Sequence, residues 1–369
     1  MSASQNPPTS ILCLCHEKHH WKLIPGYAAA FQARGIEFVY PDEGIPLDSP
    51  LKVILRTLPS RPFAIFHFES VWPLLPQGLE RSELPTVRFD VDTYFYPLKR
   101  IRWSSLFDHV AVFHPGYDQM LQHAGHPGAF LLPHAVRREF YEGAEMEREF
   151  EIGWVGQFDG DLYRSRASLL PKLFQTFHGN DASRTHTIAE VAEIYRRSRI
   201  VVNIGRDDFP QDANLRVFEV LASGALLITS LPSELSEIGF QEGVHFVGYK
   251  NESEIIPLVK HFLYCDSERV RIGHAGRTKV LREHTYDNRV QSLLDRLNNP
   301  AHAKLAPGRA WPEYRARLAY LDYFASLGFG AMARSQFRHI VGRGARETAE
   351  GAMLLLKAWG RDFLSKVRA

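Results

Sequence analysis

The sequence predicts an α/β protein of two similar halves followed by a helical C-terminal part. Three observations carry this. Short apolar runs alternate with longer amphipathic stretches up to about residue 300, the pattern of parallel strands separated by helices. Residues 134–150, which end in EGAEMEREF, show no apolar period and divide the series in two. From Trp311 onward the pattern is helical throughout.

In the first half, apolar and β-branched runs place strands at residues 11–14, 38–40, 63–68, 86–89, 110–113 and 130–132, with Pro and Gly in most of the gaps. The second half reads as a strand in EIGWVG, a helix over 163–177, a helix in AEVAEIYRRS and a strand in IVVNIG. A helix in NLRVFEVLASG, a strand in ALLITS and helices over 252–264 and 266–283 complete it. The expected division is a first domain over 1–140, a second over 151–298 and a helical extension over 311–369. Residues 331–369 carry eight Lys plus Arg against three Asp plus Glu. With Leu354, Leu355, Leu356, Trp359 and Phe363, this tail suits peripheral contact with an anionic membrane surface. A helix packed back on the first domain suits it better.

A length of 369 residues fits two domains, and 45% apolar with 23% charged residues fits a globular chain with a large core. Lys plus Arg number 44 against 42 Asp plus Glu, a net charge of +2 that gives no general attraction for nucleic acid. The three cysteines, Cys13, Cys15 and Cys265, form no disulfide framework. With no basic segment leading an apolar run in MSASQNPPTS, the expectation is a cytoplasmic protein.

In an open parallel sheet, ligands gather beyond the carboxyl ends of the strands, where helix N-termini present amides and positive dipole ends to anions. The segment after IVVNIG is the most informative. Asn214 is placed to cap a short helix with Leu215, Phe218 and Leu221 on its apolar face, and Gly224 stops it. Arg216 and Glu219 are three apart and share a face. A guanidinium suits a diphosphate and a carboxylate suits the two hydroxyls of a ribose, so together they describe a nucleotide site. Spacing alone equally fits a solvent-facing ion pair contributing less than ~1 kcal/mol.

The string NLRVFEVLASGALLITS resembles the donor-site helix of the nucleotide-sugar glycosyltransferases with two facing Rossmann-like domains, the GT-B fold. It is especially similar to their CgeB-like branch, with its pattern R-x-F-E-x-L-A-x-G-A. The stretch RVRIGHAGRTKVLREHTYDNRVQSLLDRL, with its HTY and Arg289, resembles the closing helices of the same branch. The resemblance implies a glycosyltransferase with no cofactor and no metal, its co-substrate a nucleoside diphosphate sugar and its acceptor a glycan or other hydroxyl compound. It implies that Glu219 binds the donor ribose, that Asn214 and Arg216 lie near the diphosphate, that Gly156 lets the backbone approach the donor, and that Arg166 adds a second positive charge. Fixed cations there stabilise the charge that builds on a departing diphosphate. Many retaining members carry a Glu eight positions before the ribose-binding one, where this chain has Gln211. The resemblance leans towards retention of configuration.

The first domain is expected to hold the acceptor. Asp90 and Asp92, in FDVDTY after a strand, are candidates to orient or deprotonate a hydroxyl. Their Asp-x-Asp spacing also occurs in metal-dependent transferases of another fold, and Asp159 with Asp161 matches it too. CLCHEKHH places Cys13 and Cys15 in a buried strand as packed thiols, and His16, His19 and His20 in the loop after it; His16 is the candidate for the cleft. His114 and His134 also follow strands and read as structural. A non-catalytic carbohydrate-binding or assembly protein on the same fold is the alternative, whereas an NAD-linked oxidoreductase is disfavoured because no G-x-G-x-x-G follows any strand.

Overall fold

The computed structural model describes residues 9–15, 23–69, 74–157, 160–209, 213–303, 305–341 and 344–367, from 357 on as backbone only. The chain divides into two compact units. Met1–Leu132 and Ser292–Ala369 form the first, Pro133–Gln291 the second.

The first unit runs β1 (Thr9–Cys13), α1 (Ile24–Gln32), β2 (Ile36–Val39), α2 (Leu51–Thr57), β3 (Ala64–Phe68), β4 (Thr86–Asp90), α3 (Pro97–Ser104), β5 (His109–Val112), α4 (Tyr117–His123) and β6 (Ala129–Leu131). The six expected strands form one parallel sheet in the order β2-β1-β3-β4-β5-β6. Both faces are covered, which is why the strands are largely apolar on both faces rather than at alternate positions only. In β3, Ile65 joins a cluster with Leu12, Phe107 and Val110. Phe66 and Phe68 point the other way, into an aromatic layer with Phe31, Phe38 and Phe89.

The second unit runs β7 (Phe150–Gly153), α5 (Arg164–Thr176), α6 (Ile188–Arg196), β8 (Ser198–Val202), α7 (Leu215–Ser223), β9 (Leu226–Ser230), β10 (Val247–Tyr249), α8 (Ile255–Tyr264) and α9 (Asp266–Glu283), and α10 (Tyr286–Leu297) follows. Its parallel sheet has the order β10-β9-β8-β7. One core lies under α6, α7 and α9, the other under α5 and α8. Local signals set the helix ends. Thr187 and Glu190 form a reciprocal capping box at the start of α6, and Gly224, at φ 74°, ends α7. Strand β10, three residues on the sheet edge, went unread in the sequence.

The C-terminal helices α11 (Glu313–Ser326), α12 (Gly330–Arg338) and α13 (Ala345–Val367) belong to the first unit. Leu318, Ala319, Leu321 and Phe324 of α11 enter the same cluster as Leu12 and Ile65. The Tyr320 hydroxyl donates to Glu80 Oε2 at 2.8 Å and accepts the Leu79 N–H at 3.1 Å. The expected boundaries differ from this division: residues 133–140 go with the second unit, and 292–369 are built into the first rather than appended. Leu354 and Leu355 of α13 pack against this core, and Glu350 pairs with Arg102 at 2.9 Å. Met353 and Leu356 are exposed; the side chains of Trp359 and Phe363 lie outside the described residues. Among the described residues no helix is long and apolar enough to cross a membrane.

Candidate active site

Beyond the end of β7 the chain is fixed by a side chain acting as a strand. The Trp154 N–H donates to Asn180 Oδ1 at 2.8 Å, and Asn180 Nδ2 donates to the Trp154 carbonyl at 2.9 Å. The indole is thereby seated in the core. Two guanidinium groups lie over it: Arg216, from the first turn of α7, at 4.4 Å from the ring centroid, and Arg166, from α5, at 5.5 Å. Both helices start at the carboxyl edge of the sheet, so both place their first-turn side chains beside the strand ends.

Each guanidinium is oriented by neutral acceptors. Arg216 donates from Nε to the Val155 carbonyl at 3.1 Å and from Nη1 to Asn203 Oδ1 at 3.2 Å, with the Tyr195 hydroxyl also in hydrogen-bonding reach. Arg166 donates from Nε to the Ile204 carbonyl at 2.9 Å and from Nη1 to the Gln157 carbonyl at 2.8 Å. Among the described residues no carboxylate comes within 4.0 Å of either. Burial, and then the charge of Arg216, lowers the Arg166 pKa to about 10, which leaves it a cation at neutral pH. Two fixed positive charges in one place, without an ion-pair partner among the described residues, suit an anion.

Asn203 organises this site from the end of β8. Its Oδ1 accepts from Arg216 and, at 3.5 Å, from Asn214 Nδ2. Its Nδ2 donates to Thr229 Oγ1 at 3.1 Å, and its carbonyl accepts from the Tyr249 hydroxyl at 3.1 Å. Asn214 does occupy the N-cap position of α7, but its side chain makes no capping bond. Gly156 sits at φ 145°, and a Cβ there would run into Arg216 Nη2. The glycine makes room for the guanidinium. Glu219 is half-buried one turn along α7, where its charge adds to burial in raising the Tyr141 hydroxyl well above its ordinary value. It acts in the same sense on Tyr195, which is raised by burial against the opposing charge of Arg216. The structure thus brings Gly156, Arg166, Asn214, Arg216 and Glu219 to one end of the second unit. Trp154, Asn180, Tyr195 and Asn203 complete the site and were missed in the sequence.

The first unit treats the two candidate aspartates, Asp90 and Asp92, differently. Asp90 is fully buried. Its Oδ1 accepts from Arg100 Nη1, and its Oδ2 lies 3.6 Å from Arg88 Nε. Arg100 also reaches Glu69 at 2.6 Å, so two cations meet two carboxylates. His67 lies 3.3 Å from both Arg88 and the Tyr323 hydroxyl, and burial and then Arg88 lower its pKa well below the ordinary value. A carboxylate locked in this network is not open to an acceptor, which corrects the expectation for Asp90. Asp92 lies past the strand end and is half-buried. Burial and the Glu69 charge hold its carboxyl above the usual range, against Arg100, Tyr94 and His114. That environment suits a proton acceptor. On the following turn Phe95 and Tyr96 are exposed with ring centroids 4.2 Å apart, Tyr96 at φ 61°.

The remaining expectations resolve simply. Cys13 and Cys15 are buried with their sulfurs 3.5 Å apart, and burial raises the Cys13 thiol. His16, His19, His20, Asp159 and Gln211 lie outside the described residues. Asp161 is exposed, while His114 and His134 are buried. Arg289 donates to the Pro133 and His134 carbonyls at 2.7 and 3.1 Å and to His284 Nδ1 at 2.6 Å, a structural tie.

Residues 160–295 match the sequence model of a family described as glycosyl transferase-like. A search of curated proteins finds no match. Among solved structures, the sucrose-phosphate synthase of Thermosynechococcus elongatus is similar at 13% identity and a TM-score of 0.53, covering 78% of this chain and 98% of that one. HepE of Anabaena, solved with UDP and glucose, is similar at 11% identity and 0.53, with the same coverage. A glycosyltransferase from Rickettsia africae gives 11% and 0.54, covering 81% and 99%. The second unit thus contains a glycosyl transferase-like segment, and the chain has the fold of the GT-B glycosyltransferases.

Proposed function

We propose that the protein transfers a sugar from a nucleoside diphosphate sugar to a hydroxyl group of a glycan or similar acceptor, without a metal ion and with retention of configuration. The observation that carries this is the Arg166 and Arg216 pair over Trp154, held by neutral groups with no carboxylate partner among the described residues. Such a pair binds a diphosphate and stabilises the second charge that develops as the bond from the sugar anomeric carbon to the diphosphate oxygen breaks. Glu219, one helical turn away, offers two acceptor oxygens to the ribose hydroxyls. In the first unit, Asp92 is the group suited to accept a proton from an acceptor hydroxyl. The pairing of Asp90 with Arg88 and Arg100 supports the metal-independent reading, since the Asp-x-Asp spacing does not offer two open carboxylates. Retention rests on the resemblance of the donor helix.

Calorimetric titration of UDP, GDP and dTDP tests the reading. The wild type should bind at least one of them, and Glu219→Ala should weaken binding with little change in Tm. No binding of any nucleotide by the wild type would remove the main support. A carbohydrate-binding protein without turnover is the second reading, favoured by the closure of Asp90. Nucleotide-sugar hydrolysis in the absence of acceptor, followed by mass spectrometry, separates the two.

A further inference from the structure

We propose that His261, Cys265 and Glu268 form a binding site for a single divalent transition metal ion of the zinc class, at the junction of α8 and α9. Cys265 adopts φ −85° and ψ 68° between the two helices. This break brings the last turn of α8 against the first turn of α9. The Cys265 sulfur lies 3.9 Å from His261 Nδ1, and His261 Nε2 lies 3.8 Å from Glu268 Oε2. One ligand atom from each residue can be chosen so that all three fall within 4.8 Å of one another.

Zinc binds at about 2.3 Å from sulfur and about 2.0–2.2 Å from nitrogen or oxygen, which sets tetrahedral ligand atoms roughly 3.5 Å apart. Cys265 and Glu268 approach different nitrogens of the His261 ring, so closing on an ion requires side-chain rotation that turns one of those nitrogens towards both other donors. His261 and Glu268 are exposed and Cys265 is half-buried, so the metal can enter and water can take the fourth position.

The donor set also selects the metal. A thiolate and an imidazole suit zinc, cobalt or nickel, whereas one carboxylate is too few for calcium or magnesium. Thiolate and carboxylate together neutralise a divalent ion. Neighbouring charges leave the donors available. Asp266 is bound to Arg269, and Arg271 approaches Glu268 only at Oε1, 3.9 Å away. The His261 imidazole packs edge-on to Phe262, with centroids 4.8 Å apart.

The site lies away from the anion site. Gly273 of α9 packs against the Gly224 carbonyl at the entry to β9, so this end of α9 lies near the amino edge of the sheet, opposite the edge that bears Arg216. A metal here would pin α8 to α9 rather than take part in transfer.

The test uses the full chain stripped with EDTA. Zinc titrated against a chromogenic chelator should bind at one equivalent, and cobalt should give thiolate-to-metal charge-transfer absorption in the near ultraviolet. Cys265→Ser should abolish that band. Loss of an outer partner of a metal ligand already costs ~10–100-fold in affinity, so His261→Ala and Glu268→Gln should each weaken zinc by at least that much. Melting curves in EDTA and UDP titrations should match wild type for all three variants, which separates this proposal from the nucleotide reading. A cobalt–thiolate band that survives in Cys265→Ser, or zinc binding that is absent or unchanged across the variants, would overturn the assignment.

Discussion

The addition of one methyl group at Gly156 tests how the anion site is built. The residue has φ 145°, and a Cβ would collide with Arg216 Nη2. Two costs follow in Gly156→Ala. The backbone conformation itself carries ~1–3 kcal/mol of strain for a residue with a side chain. The guanidinium is also pushed from the Val155 carbonyl and Asn203 Oδ1, and a hydrogen bond to a charged group contributes ~1.5–3 kcal/mol. Loss of one such contact to a diphosphate weakens binding roughly 10- to 100-fold. The expected outcome is a lowered Tm together with that loss of UDP affinity by calorimetry. The decisive measurement is the double-mutant cycle with Arg216→Ala, because the group that the methyl strikes is then absent. The binding penalty of Gly156→Ala should nearly vanish in that background. Additive penalties would refute the argument, since they would mean that the methyl acts on the ligand or the loop and not through Arg216.

Three further outcomes are expected. Asn203→Ala removes the amide that holds Arg216 and Asn214 and leaves buried partners unsatisfied, so stability should fall by ~1–3 kcal/mol in urea unfolding and UDP should bind at least roughly tenfold more weakly. Asp90→Asn leaves Arg88 and Arg100 facing Glu69 alone. Breaking a buried pair in this way costs ~3–5 kcal/mol, visible as a fall in Tm, with UDP affinity of the second unit unchanged; an unchanged Tm with lost turnover would instead make Asp90 catalytic. His109 and His284 are each lowered to about 3 by burial, then by Arg296 and Arg289 respectively, and each accepts a guanidinium N–H at Nδ1. Between pH 6.5 and about 3 the unfolded chain holds more protons than the folded one, so stability is lost as pH falls through this window. At pH 5 the loss is ~2 kcal/mol for each histidine, and His109→Asn should flatten the slope of unfolding free energy against pH by about one proton.

The sheets were legible in the sequence because parallel strands covered on both faces read as short, mostly apolar runs. β10 was not, because Val247–Tyr249 pairs with β9 alone at an edge and three residues carry no period. The C-terminal helices were legible as helices but not by what they pack on. The pattern of α11 is blurred by Asp322, which is buried and accepts from Trp103 Nε1 at 3.2 Å. In the candidate site, Arg216 and Glu219 stood out because a spacing of three on a helix after a strand has a geometric meaning. Asn180 and Asn203 did not. A single amide has no pattern, and their partners Trp154 and Thr229 are each 26 residues away in sequence.

Asp90 shows where a signal existed and went unread. Arg88 and Asp90 are two apart in β4 and so share one face of it, and a strand in the middle of a covered parallel sheet gives neither charge any water. Opposite charges at that spacing can survive burial only by pairing with each other or with a third group, here Arg100. Read this way, R-x-D inside a central strand marks an internal ion pair. Asp92, the second residue beyond the strand end, falls outside that constraint. It keeps a partly exposed carboxyl held above the usual range by burial and Glu69, which is the condition a proton acceptor needs and a neutralised core pair cannot meet.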